Sequence, residues 1–181
     1  MSCMKISEKK SEKSWRQLNI MNREILFRGK RVDNGEWVEG YLFDDGYQKP
    51  EHVFVGGLII DEYEGTACDE WDINGIGFCD VEPNTVCQYT GLTGKNGKKI
   101  WEGDIIKYHF GEAYAPVKFG EYQNCFDSTS TCHVGFYVDW DKNHNFRKDL
   151  GYWIKLVDAE VVGNIFDNPE LLEEENVHGA D

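Results

Sequence analysis

Between Pro83 and Tyr108 the chain reads PNTVCQYTGLTGKNGKKIWEGDIIKY, and this stretch constrains the fold more than any other. Two β-type runs, residues 85–92 and 99–108, flank a polar segment that contains Asn96-Gly97. Asn-Gly supplies two consecutive residues that tolerate positive φ, the strongest short-range signal for a β-hairpin. Val86, Gln88, Thr90 and Leu92 alternate with Cys87, Tyr89 and Gly91, the period of a strand with one buried face. After the turn, Ile100, Trp101, Ile105, Ile106 and Tyr108 are strand formers interrupted by Glu102-Gly103-Asp104. A glycine between two carboxylates inside a strand pattern predicts a bulge or sharp bend, as a strand needs at the corner of a small barrel. Glu102 and Asp104 are expected on a solvated rim as turn chemistry, in preference to a catalytic carboxylate pair.

The run Gln88-Tyr89-Thr90-Gly91-Leu92, the turn Asn96-Gly97-Lys98, and Ile100-Trp101-Glu102-Gly103-Asp104-Ile105-Ile106 together closely resemble the signature of the YopX family of phage and prophage proteins. The family pattern carries Tyr where this chain has Trp101, a conservative exchange for a packed aromatic. Downstream, residues 161–172 (VVGNIFDNPELL, with Gly163, Asn164 and Pro169) look like the family's closing motif, and residues 23–28 (REILFR) look like its opening. Three anchors in the right order extend the resemblance over about residues 21–172. It implies a mostly β protein, with an N-terminal β-hairpin or sheet region, then an SH3-like small β-barrel and a short C-terminal helix. It implies no activity, and it casts the signature residues as structural.

Charge narrows the partners. The chain carries a formal −14, while residues 1–20 hold five Lys/Arg against two Asp/Glu, leaving −17 on the remainder. An acidic body repels phosphates, so naked nucleic acid is disfavoured as a partner, whereas a basic protein surface is not. The six cysteines, at 3, 68, 79, 87, 125 and 132, form no C-x-x-C pair and follow no secretory signal, so they read as reduced thiols of a cytoplasmic chain. No apolar run approaches the length of a membrane span.

In chain order, residues 1–20 are expected as a disordered or loosely helical basic extension. Residues 21–82 read as an N-terminal β subdomain, with strands at 24–31 and 36–43 joined by Asp33-Asn34-Gly35, an apolar run at 53–60, and a return near 76–81. Residues 61–74 hold six carboxylates and no cation, and read as a solvated loop. Residues 83–172 form the expected barrel, with further strands at 117–122, 134–140, 152–157 and 159–166. Asn168-Pro169 then starts a helix, with Asn as N-cap and Pro at the first position. Residues 173–181 are an acidic tail. Short strands at regular spacing favour a barrel over a βαβ sheet.

Several constellations suggest chemistry and fail on spacing. Asp139, Asp141 and Asn143 mimic the start of an EF-hand loop, but His144 replaces the required Gly and Leu150 the bidentate Glu. Cys125, Cys132 and His133 lack the paired cysteines of a zinc site, and adjacent Cys132-His133 point to opposite faces of a strand. GLTGKNGKK lacks phosphate-loop spacing. No catalytic residues, cofactor or metal are therefore expected. Trp101, Trp140 and Trp153 are candidate binding-face aromatics, since small barrels use exposed aromatics as peptide or base platforms. The leading expectation is a non-enzymatic accessory protein that contacts an unknown host or phage protein and is able to self-associate. The alternative is nucleic-acid-linked: a single-strand-binding barrel, or an acidic surface that imitates DNA.

Overall fold

A computed structural model describes residues 24–46, 52–62, 71–108, 113–140 and 146–173, with backbone only for 59–62 and 71–75. The expected basic extension, the centre of the acidic loop, positions 141–145 of the EF-hand mimic and the end of the acidic tail lie outside the described residues. Among the described residues, ten strands and one short α-helix follow in order: β1 Phe27–Lys30, β2 Trp37–Asp44, β3 Val53–Glu62, β4 Trp71–Val81, β5 Cys87–Thr93, β6 Lys99–Trp101, β7 Asp104–Lys107, β8 Tyr114–Tyr122, β9 His133–Val138, α1 Leu150–Lys155 and β10 Glu160–Asn164. The chain is mostly β, as the sequence predicts, and its strands form two antiparallel sheets ordered β4-β3-β2-β1-β5-β6 and β10-β7-β8-β9.

Local chemistry explains most of the turns. Gly35 (φ 72°) closes the β1–β2 hairpin after Asp33-Asn34, and Gly97 (φ 76°) closes β5–β6. The strand that begins at Lys99 is cut by a bend at Glu102-Gly103, where Gly103 takes φ 79°. The Gly103 amide donates to Val117 and its carbonyl accepts from Ile165, so the corner is tied to both sides of the second sheet. The expected barrel strands are thus shared between the sheets. β5 pairs with β1 (Phe27 opposite Gln88) and so extends the N-terminal sheet across position 83, while β7 starts the other.

Two expectations are corrected. The ends of the stretch read as a solvated loop, residues 61–62 and 71–74, are strand, in β3 and β4. Residues 152–157 do not form a strand; Leu150–Lys155 is a helix that buries Leu150, Trp153 and Ile154. Tyr, Trp, Ile and Val favour strands locally, but the i, i+3, i+4 spacing of the three buried residues is the stripe of a helix, and packing overrides propensity. It ends at Lys155 with Leu156 as C-cap, and the chain then turns at Asp158, the one non-glycine among the described residues with positive φ (57°). The C-terminal helix is a short 3-10 turn, Pro169–Leu172, with Pro at the start as expected; Asn168 precedes it without making a side-chain cap bond.

The main core lies between the second sheet, β6 and α1 and contains Ile100, Ile106, Val117, Val138, Trp140, Leu150 and Trp153. Each such side chain taken fully from water contributes about 1.5–3 kcal/mol. A second cluster, Val53, Val55 and Val81, backs the N-terminal sheet. A third, Cys87, Tyr89 and Trp101, sits where the sheets meet.

Candidate functional site: the junction cleft and the outer face

Arg28 projects from β1 and crosses to the second sheet. Its Nη2 donates to Asp104 Oδ1 at 2.6 Å, with the two side chains 12% and 6% exposed. Asp104 Oδ2 accepts from the Trp101 amide at 2.9 Å, which folds the carboxylate back over the Glu102-Gly103 bend. Asp104 is therefore not the solvated rim residue that the sequence suggests. Burial raises its pKa, against the pull of Arg28 and the Trp101 amide. The guanidinium lies over the Trp37 ring at 4.5 Å and near the Trp101 ring at 5.4 Å, contacts in which a desolvated cation gains from the ring quadrupole. Its Nε is buried and has no hydrogen-bond partner among the described residues. Next to it, burial pushes the Cys87 thiol up to about 11, which keeps it protonated and unreactive.

This joint forms one end of a cleft of about 400 Å³. The β5–β6 turn supplies Lys95, Asn96 and Lys98, β6 supplies Lys99, and β10 supplies Val161, Gly163 and Asn164. Lys95 reaches Asp158 at 3.4 Å and Lys99 reaches Glu39 at 2.9 Å.

The closing motif braces the cleft. Asn164 Oδ1 accepts from the Phe166 and Asp167 amides, both at 3.0 Å, and its amide donates to Asp167 Oδ2 at 2.8 Å. Asp167 also takes the Trp37 indole N–H at 2.8 Å and the Lys30 ammonium at 2.5 Å. The Asn164 amide and Lys30 hold the Asp167 carboxyl down at about 2. A side chain at Gly163 would collide with Asn168 Oδ1, so the position accepts only glycine without rearrangement.

The remaining signature residues make local packing and hydrogen-bond contacts. The Gln88 carbonyl accepts from Glu102, Tyr89 packs on Trp101 with centroids 5.4 Å apart, and Thr90 Oγ1 donates to the Ile100 carbonyl at 2.8 Å. Gly91 takes φ 81°, Leu92 packs on the main core, and Asn96 Oδ1 accepts from the Lys98 amide to shape the turn. Pro169 opens the terminal 3-10 turn.

Trp101, Trp140 and Trp153 are 3%, 2% and 4% exposed. None offers a ring to a partner, and the reading of these three as a binding face is corrected: they hold the core together. Trp140 and Trp153 pack at 4.8 Å with Phe146 beside them. Exposed aromatics occur elsewhere. Register places Tyr41, Phe54 and Phe78 on one face of β2–β3–β4, since Tyr41 opposes Gly56 and Gly56 opposes Phe78, while Phe43 opposes Phe54. Leu58 opposite Ile76 continues the same face. Tyr41, Phe43, Leu58, Ile76 and Phe78 are 40–63% exposed, and Phe43 meets Phe78 edge-on at 4.6 Å.

Neither the joint nor this face was singled out by sequence reasoning. Arg28 ends the opening motif among Arg23, Lys30 and Arg31, and nothing local marks it as the cation that is buried. The outer face carried the signal of a strand pair apolar on both sides, since Val53 and Val55 point to the core while Phe54 and Leu58 point away. Cys125 and Cys132 are exposed, and His133 pairs with Asp127 at 2.9 Å. The described residues contain no group of three His, Cys, Asp or Glu that could hold a metal ion, and no helix long and apolar enough to cross a membrane.

Comparison with solved structures finds a crystal structure of protein EF1440 from Enterococcus faecalis, 24% identical, covering 83% of this chain and 99% of that one with a TM-score of 0.48. No curated protein matches. The sequence model described as YopX protein matches residues 26–173, a span that runs from the start of the first strand to the terminal 3-10 turn. By that match, the chain belongs to the YopX family.

Proposed function

We propose that the chain is a non-catalytic protein-interaction module of phage or prophage origin, and that it docks through the outer face of β2–β3–β4. The observation that carries this reading is the set of five large apolar side chains, Tyr41, Phe43, Leu58, Ile76 and Phe78, each 40–63% exposed on the face turned away from the Val53–Val55–Val81 cluster. Contiguous exposed apolar surface on a chain of this size is a mark of a docking site, since it costs solubility without adding to the core. Two aromatic rings in edge contact make a rigid anchor of the kind that dominates binding energy. The acidic charge of the body favours a partner with a basic rim around an apolar centre. The nucleic-acid-linked reading has less support, because the three tryptophans it relied on as stacking platforms are buried.

The test compares the full chain with a Tyr41→Asp/Leu58→Asp variant in affinity purification from the bacterial host and in sedimentation of the purified protein. Both positions are more than half exposed, so the variant is expected to melt at the temperature of the parent. A partner or self-association present in the parent and lost in the variant supports the reading. Retention of every partner by the variant, or turnover of a substrate by the purified chain, overturns it.

A further inference from the structure

The junction cleft lies apart from the outer face, and its chemistry points to a ligand of a different kind. We propose that it binds a compact polyanion of nucleotide size or smaller, carrying its charge as phosphate or as clustered carboxylates. Four cations line it, Arg28, Lys95, Lys98 and Lys99, against two carboxylates, Asp104 and Glu160, on a chain whose net charge is −14. Asp104 is already engaged by Arg28 and the Trp101 amide, so it orients the guanidinium and is not free to repel a ligand.

The lysines are available because their ion pairs face solvent. Lys95 and Asp158 are 66% and 59% exposed, and Lys99 meets a Glu39 side chain that is half exposed. Solvent-exposed pairs of this kind are weak enough for a multiply charged ligand to displace the carboxylate. Arg28 is the opposite case, held between Trp37 and Trp101 and pinned at one nitrogen by Asp104. A pre-oriented guanidinium loses little freedom on binding. The volume of about 400 Å³ falls within the range of small-molecule sites. With Asp158 and Glu39 counted, four cations meet four carboxylates here, a balanced patch that repels an anion less than the average surface of a chain of net charge −14. A group that carries two or more negative charges can meet several of the cations at once, which a single carboxylate cannot. Size follows from the charge of the chain: a nucleic-acid strand longer than the cleft would meet a molecule of net charge −14, whereas a small polyanion stays inside the cleft.

Isothermal titration of the full chain with metal-free pyrophosphate, adenosine triphosphate and citrate tests the proposal, with a Lys95→Glu/Lys98→Glu variant alongside. Both lysines are exposed, so the variant is expected to fold, and a Lys98→Gln variant provides the milder change. Binding of at least one probe to the parent is expected, weakening with added salt and by about tenfold or more in the double charge reversal. Preference for the two phosphate probes assigns the charge to phosphate, and preference for citrate assigns it to carboxylates; either supports the site. Failure of all three probes to bind, or equal binding by parent and both variants, overturns it.

Discussion

Arg28 and Asp104 show how much one pair of residues can decide. They are 76 positions apart in sequence, and their contact is what joins β1 to β7. Each is nearly withdrawn from water, so each is tolerable only because of the other: the cost of removing a charge from solvent is offset by the partner and by the surrounding hydrogen bonds. Asp104→Asn or Arg28→Met alone is therefore expected to destabilise the fold by about 3–5 kcal/mol, because an uncompensated charge stays behind. Arg28→Met combined with Asp104→Leu is expected to lose far less, and urea unfolding of the three variants measures the difference. If the single variants unfold at the parent's urea midpoint, the pair is not the joint described. The sequence could not reveal this partnership. The Glu102-Gly103-Asp104 spacing correctly predicts a bend, but the pattern that puts a carboxylate beside a turn is the same whether the turn faces water or the core.

At the scale of elements, period-two alternation and turn chemistry made the strands and hairpins legible, because both are local. β5, β6 and the bend before β7 follow directly from the Asn-Gly and Gly103 positions. What escaped was decided at a distance. Residues 152–157 are strand formers by type, and only the core formed by β6, β8 and β9 selects the helical spacing of Leu150, Trp153 and Ile154. The closing motif was legible as a motif but not as a mechanism. Its last strand bulges between Val161 and Gly163, which brings Gly163 against the Asn168 side chain. Gly163→Ala is expected to cost about 1–3 kcal/mol by overpacking, and adding Asn168→Ala to it should recover part of that loss. Thermal melts of the single and double variants check this; a Gly163→Ala variant as stable as its parent would show that the contact yields freely.

For the molecule as a whole, the acid side of its stability profile reports on the closing motif. The Asp167 carboxyl titrates at about 2 in the folded chain against an ordinary 3.8, so its contribution is fully present above the ordinary value and disappears as the pH falls through about 2. Its side chain is 38% exposed, and screening by water holds the effect to about 1 kcal/mol or less. Asp127 and Asp149 are shifted in the same direction, and the buried Asp104 in the opposite one, favouring its protonated form. Asp167→Asn is expected to flatten the fall in melting temperature between pH 4 and pH 2 relative to the parent; an unchanged slope would mean that Asp167 is not anchored by Asn164, Lys30 and Trp37. The same anchor has a bearing on biosynthesis. The Trp37 indole waits for an acceptor 130 positions later, so a nascent polypeptide presents its first two strands while their counterpart is still untranslated. Any message cut short before the codon for Asp167 yields a product that lacks the latch of the first sheet.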